Sequence, residues 1–298
     1  MSASVEHLAQ GLGHPEGPDI LPDGRIVFVE TYRSCLTAWS PERGVERFAD
    51  CGGGPNACVL GADGSVYITQ NGGTVGAWKA DVRATPSIQK VTPDGTVEEV
   101  IAEIDGVRLN APNDLSFGPD GRLYFTDSGD YDPVGRPDPG YIFVVSPDGQ
   151  GEVLEELEPR YPNGIVVEAD GSVVWVESYT LEVWRRRTDG SKAMIHQLPD
   201  GHVPDGLKVA ANGDLWITTF QSGGVDVITA DGSPVRFVRT GGVQCNCLLH
   251  GGYLYLTDFG DIEGDVPAIA PMIGRLSRLK VDVEGMPLHR GTITAPAA

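Results

Sequence analysis

Short apolar runs recur along the chain, each opening on a polar side chain and closing in a glycine turn. The polar heads are Glu16, Asn56, Asn113, Asn163, Asp205 and Asn246. In the first five runs the turn glycine (Gly24, Gly64, Gly121, Gly171, Gly213) follows its head by eight positions, and the sixth, shorter run closes at Gly251-Gly252. The repeat length, about 45 residues, is that of a propeller blade built from four strands. The fourth unit spells this out: Asn163 to Glu168, a turn at Ala169-Asp170-Gly171, Ser172 to Ser178, Leu181 to Arg187, and a last strand after Thr188-Asp189-Gly190.

The runs themselves are strand-like, rich in β-branched and aromatic residues, as in Leu123-Tyr-Phe-Thr-Asp127 and Leu215-Trp-Ile-Thr-Thr219. No window holds a helical period, and 40 Gly with 22 Pro spread evenly work against long helices. The pattern predicts an all-β fold, a six-bladed β-propeller with four antiparallel strands per blade around a central channel. No unit has an apolar face it could cover alone, so residues 1–298 are expected to form a single domain. A strand near Val5 to Leu8 is expected to complete the last blade and latch the ring.

Strand direction then sorts the connections. If the first strand of each blade starts on one face, the second returns to it, and the loops joining second to third strands lie there. Those are the long segments 71–85, 128–140 and 258–272, whereas the Asp-Gly turns fall on the opposite face. Long loops on a rigid frame mark the first face as the working one.

Composition narrows the function classes. A hydrophobic share of 40% and a charged share of 21% suit a globular protein. No apolar run approaches the ~20 residues of a membrane span, and Met1 to Gln10 lacks the basic-then-apolar order of a secretory signal. A cytoplasmic protein with no membrane partner is expected. The formal charge of −20 repels phosphate backbones and argues against nucleic acid. Cys35, Cys51, Cys58, Cys245 and Cys247 form no CxxC pair, so they read as reduced packing residues.

In a propeller the first strands line the channel, so the six heads should converge near its mouth. Glu16 and Asp205 would repel each other there, and a divalent cation would remove that cost. The heads offer only oxygen atoms. That favours a hard ion, Ca²⁺ first and Mg²⁺ or Mn²⁺ next; Zn²⁺ would more often draw imidazole or thiolate. An isolated Asn or Asp at a strand start is commonly a turn former, but Glu16 in the same slot is not. His14 and His202 flank the two acidic heads and could assist proton transfer, although wall or loop roles suit them as well. Cys245 and Cys247 are expected to point to opposite faces of one strand and so not to grip one ion together. Trp78, Tyr131 and Arg136 lie in the loops above the mouth. Neither a phosphate-binding glycine loop nor a GxSxG nucleophile turn occurs.

The segments His14-Pro-Glu-Gly-Pro18, Ala111-Pro-Asn-Asp-Leu115 with Leu123-Tyr-Phe-Thr-Asp127, Tyr161-Pro-Asn-Gly-Ile165, Pro204-Asp-Gly-Leu207 and Asn246-Cys247 resemble the gluconolactonase, senescence marker protein and luciferin-regenerating enzyme family. The resemblance runs from about Gly13 to Asp258. It implies a six-bladed propeller with one catalytic divalent metal that hydrolyses sugar lactones. It implies that Glu16, Asn163 and Asp205 ligate the metal and that Asn113 sits beside it to contact substrate. Asp205 would then be the general base and Asn113 a donor to the developing oxyanion. Animal members carry an Arg two residues before the equivalent of Asn113; here that position is Ala111, and Arg108 lies further upstream. The expected partner is a small lactone, and the chain is expected to be a monomer or small homo-oligomer. Diisopropylfluorophosphatase shares the same four residues, which leaves ester or organophosphate hydrolysis as an alternative. A non-catalytic propeller with a structural Ca²⁺ is a second alternative.

Overall fold

A computed structural model describes residues 4–76, 78–261 and 272–294. Among these, six four-stranded antiparallel sheets form a six-bladed β-propeller. The inner strands are Pro15–Ile20, Pro55–Leu60, Pro112–Phe117, Pro162–Val167, Pro204–Val209 and Gln244–His250, defining blades 1 to 6 in order. Each inner strand packs on that of the next blade, and the sixth packs on the first. The N-terminal strand, Glu6–Leu12, pairs with Gly274–Lys280 as the outer strand of blade 6. The latch expected near Val5 to Leu8 therefore exists and is longer than the sequence suggested.

The Asp-Gly turns behave as their chemistry requires. Gly24, Gly64, Gly121, Gly171 and Gly213 all hold φ between 76° and 88°, a region closed to most side chains. The preceding Asp or Asn accepts the backbone N–H two residues on, as in Ser172 N to Asp170 Oδ1 at 2.8 Å.

The apolar core lies at the blade junctions. Blades 1 and 2, for example, enclose Val27, Val29, Leu36, Cys58, Val66 and Ile68 between their facing sheets. Blades 4 and 5 do the same with Val174, Val176, Leu207, Leu215 and Ile217. Each sheet buries its two faces against its two neighbours. Hydroxyls fasten the inner ends. Thr31 Oγ1 donates to Pro55 O at 2.8 Å, Thr69 to Asn113 O at 2.6 Å, Thr126 to Asn163 O at 2.7 Å, Ser178 to Pro204 O at 2.7 Å, and Thr218 to Cys245 O at 2.7 Å. Five successive junctions are thus bridged at the backbone of the next blade's inner strand, and the latch strand serves the sixth.

The C-terminal segment was not foreseen. It crosses the tight-turn face from blade 5, where Met286 N donates to Val209 O at 2.9 Å, to blade 3, where Thr294 N donates to Pro147 O at 3.0 Å. On the way Arg290 grips the buried Asp19 of the blade 1 inner strand through two bonds of 2.6 and 2.9 Å. The second-to-third-strand connections 71–85 and 128–140 lie, in their described residues, on the other face. One contains a small ribbon, Thr74–Val75 with Trp78–Lys79. Part of the segment 258–272 falls outside the described residues.

Candidate functional site

Every inner strand carries a register shift at its polar head, for example between Glu16 and Asp19 and between Pro204 and Leu207. An extra residue at that point re-aims the head's side chain relative to strict alternation. In five blades the residue before the head is proline, which fits a strand's first position because no N–H is needed there. The residue after the head is small in most blades, and the next inner strand presses against it. A Cβ added to Gly206 would lie 2.8 Å from Asn246 Nδ2, and one on Gly164 would lie 2.8 Å from Gly206 Cα. Glycine permits the close approach that brings the heads together.

The acidic heads lie close enough to feel each other's charge, and a third carboxylate joins them. Glu16, Asp114 and Asp205 are 3%, 2% and 9% exposed. Burial pushes Glu16 well above the usual carboxylate range, and the charges of Asp205 and Asp114 push it further. Asp205 is raised by burial and then by Asp114, with the Asn163 amide offsetting part of the shift. Asp114 is raised by burial and drawn back by Lys208. Among the described residues no ion pair relieves any of the three. With Lys208 and one doubly charged ion the cluster would balance formally.

The amides are oriented by their neighbours. Asn56 Nδ2 donates to Asn113 Oδ1 at 3.0 Å and to Asn113 O at 3.1 Å, so the Asn113 oxygen is engaged and its Nδ2 remains a donor. Asn163 Nδ2 donates to Ser178 Oγ at 3.2 Å, and the same amide eases the Asp205 carboxylate, so the two heads lie side by side. Asn246 is used at both ends, donating to Asp114 Oδ2 at 3.2 Å and accepting from Cys247 N at 2.8 Å. Asn246 and Asp114 belong to opposite blades, so this bond crosses the channel.

His14 approaches Glu16 from above. Its backbone is left-handed, φ 56°, and its ring stacks on Phe259 at 4.1 Å. Burial holds its pKa near 3, and its Nδ1 has no hydrogen-bond partner. Ligand atoms of His14, Glu16 and Cys245 all lie within 4.8 Å of one another. A nitrogen and a thiol therefore stand at the edge of a set that the sequence had drawn from oxygens alone. Cys247, by contrast, packs with Trp216 between blades 5 and 6; residues two apart share a face of a regular strand, and the register shift between Gln244 and Asn246 is what makes the two cysteines face apart.

Other candidates fall away. His202 Nδ1 pairs with Asp226 Oδ2 at 2.7 Å, and its ring lies tilted against Phe237 at 4.9 Å. Arg136 lies over the Tyr179 ring at 4.9 Å. Arg108 is a solvent-exposed partner of Glu103. Trp78 and Tyr131 do stand at the mouth, in aromatic clusters with Tyr32 and with Tyr161. Asp114 and Lys208 were missed by sequence reasoning. A signal for Asp114 existed: aligned on their heads, the following residues are Gly17, Ala57, Asp114, Gly164, Gly206 and Cys247, and one charge breaks a small-residue series.

Comparison with known proteins agrees with this architecture. A gluconolactonase from Zymomonas mobilis is 24% identical over 267 residues, covering 78% of this chain and 71% of that protein. A luciferin-regenerating enzyme superposes with a TM-score of 0.79 at 17% identity, over 98% of this chain and all of the other. Regucalcin from Agrobacterium tumefaciens, described as a calcium-binding protein, gives a TM-score of 0.76 at 18% identity, over 99% and 98% of the two chains. The SMP-30/Gluconolactonase/LRE-like region matches residues 14–258, and this chain belongs to that family.

Proposed function

We propose that the protein is a divalent-metal-dependent hydrolase that opens the cyclic ester of a lactone, as its gluconolactonase relatives do. The observation that carries the reading is three buried carboxylates, Glu16, Asp114 and Asp205, gathered at one place with no ion pair among the described residues. Such a set is costly unless a cation occupies it. Glu16, Asn163 and Asp205 would hold the ion through oxygen, with Asp114 and Lys208 completing the charge balance. Ca²⁺ fits this donor set best, and Mg²⁺ or Mn²⁺ follow. His14, with its unpartnered Nδ1, supplies the one nitrogen a Zn²⁺ site would use.

When bound, such an ion polarises a carbonyl oxygen and lowers the pKa of water. The chain's own residues do the remainder. Asp205 takes the proton of the attacking water as its oxygen bonds to the carbonyl carbon, and returns it to the ring oxygen as the ester C–O bond breaks. Asn113 Nδ2, left free by the Asn56 bonds, donates to the oxyanion that develops. The product is a hydroxy acid.

The test is to strip the protein with a strong chelator, assay a panel of lactones, and add Ca²⁺ back. Activity should vanish and return. Unchanged hydrolysis after stripping, or no lactone opened with metal restored, would defeat the reading.

Five buried cysteines without a disulfide suit the reducing cytoplasm, and no helix among the described residues is long and apolar enough to cross a membrane. Because every sheet depends on two neighbours for burial, we take the chain as one cooperative domain, monomeric or a small homo-oligomer.

A further inference from the structure

We infer that His14, Glu16 and Cys245 form a second cation site, one for a borderline ion such as Zn²⁺ or Co²⁺. It lies beside the oxygen set of Glu16, Asn163 and Asp205, shares only Glu16 with it, and stands whether or not the protein opens lactones. One ligand atom from each residue, a ring nitrogen, a carboxylate oxygen and Sγ, lies within 4.8 Å of the other two. Any triangle so bounded has a point within about 2.8 Å of all three corners, and zinc bonds to nitrogen, oxygen and sulfur are ~2.0–2.3 Å long. Side-chain shifts of less than about 1 Å would therefore close the ligands on one ion.

The imidazole is available. All three residues are buried, and His14 Nδ1 has no hydrogen-bond partner. A buried polar atom left unpaired costs roughly 1–3 kcal/mol, and the ring cannot turn away to escape that cost. Thr31 N donates to His14 O at 3.0 Å, Tyr32 N donates to Gly13 O at 3.0 Å, and the ring stacks on Phe259 at 4.1 Å. A neutral imidazole carries one lone pair, and a metal is a partner suited to it.

The thiol is placed by the bulge in the inner strand of blade 6. The register shift between Gln244 and Asn246 separates Cys245 from the side on which Cys247 packs. Cys245 sits among Val243, Phe259, Tyr32 and Phe220. Its Sγ makes one long hydrogen bond among the described residues, to Val243 O at 3.7 Å. An apolar shell of this kind strengthens the attraction between an ion and its anionic ligands.

Charge and softness agree. A thiolate, a carboxylate and a neutral imidazole balance a doubly charged ion, the thiol proton passing to solvent as the metal–sulfur bond forms. Three protein ligands leave the fourth tetrahedral position open. Sulfur and nitrogen favour Zn²⁺ or Co²⁺, whereas Ca²⁺ and Mg²⁺ take oxygen. Glu16 thus stands between two donor sets, and the identity of the ion decides which one forms around it.

The experiment titrates chelator-stripped protein with CoCl₂ and reads the thiolate-to-cobalt charge-transfer band in the near ultraviolet. One equivalent should raise the band. Cys245→Ser should abolish it. His14→Asn, chosen because Asn tolerates the left-handed backbone at φ 56°, should weaken Co²⁺ binding at least ten-fold. Cys247→Ser and Asn163→Ala should keep the band, because neither residue belongs to the set. X-ray absorption of the unmodified protein with one equivalent of Zn²⁺ should show one sulfur neighbour at ~2.3 Å, a readout that needs no variant to fold. A protein that takes up no Co²⁺, or takes it up without the band, overturns the inference. So does a band that survives Cys245→Ser or is lost in Asn163→Ala, an unchanged Co²⁺ affinity in His14→Asn, or zinc surrounded by nitrogen and oxygen alone.

Discussion

Adding one methyl group at Gly206 tests how tightly the ring of heads is drawn together. The backbone there is not left-handed, so alanine suffers no conformational penalty. Space is the obstacle. The new Cβ would sit 2.8 Å from Asn246 Nδ2 and nearer still to Cγ and Oδ1, while ordinary contact begins at 3.4 Å, so the amide must retreat by about 1 Å. Asn246 donates to Asp114 across the channel at 3.2 Å, and that bond would be lost. Overpacking of this kind costs about 1–3 kcal/mol, and removing a donor from a buried charge adds roughly 1.5 kcal/mol or more. A total near 3 kcal/mol should lower Tm by roughly 6 °C in a chain of this size. The Ca²⁺ midpoint should also rise, because Asp114 and Glu16 lose the group that orients them. Gly24→Ala is the control: it has open space but φ 86°, so it should cost about 1–2 kcal/mol with no change in cation affinity. Thermal unfolding with and without Ca²⁺ decides. A Gly206→Ala protein within 1 °C of the parent, with an unmoved Ca²⁺ midpoint, would show that the inner strands are not packed as described.

Asn113→Ala should lower kcat by about 10²–10³-fold with little effect on Tm, the usual cost of one oxyanion donor, measured under saturating lactone. Thr126→Val removes the hydroxyl that bridges blade 3 to Asn163 O at 2.7 Å; urea unfolding should show a loss of about 1–3 kcal/mol. Glu16 and Asp205 have folded pKa values raised by burial, so in stripped protein their contribution is fully present below the ordinary carboxylate range. It is lost as pH rises through the raised values. The chelated protein should therefore gain Tm between pH 7 and pH 5, and Asp205→Asn should flatten that gain; a Tm that falls on acidification in this range contradicts the buried pair.

Local chemistry wrote much of this protein in advance. Asp-Gly turns at fixed spacing fix hairpins by themselves, because positive φ and the Asx hydrogen bond act within four residues. Alternation in the runs after Asn113 and Asp205 fixes strands for the same reason, and six such units leave a ring as the arrangement that covers every face. The polar heads were legible because the repeat aligns them. Distance along the chain hid the remainder. Asp114 became part of the centre only when blade 3 came to face Asn246 of blade 6. The bonds that orient the Asn113 and Asn163 amides depend on Asn56 and Ser178. The aromatic walls join His14 to Phe259 and Tyr161 to Tyr131, residues from different blades or loops. The sequence alone determined the strands, the turns and the roster of oxygen donors, since those follow from neighbours along the chain. Only the closed ring decided which of those atoms face one another, because burial and electrostatic repulsion act through space.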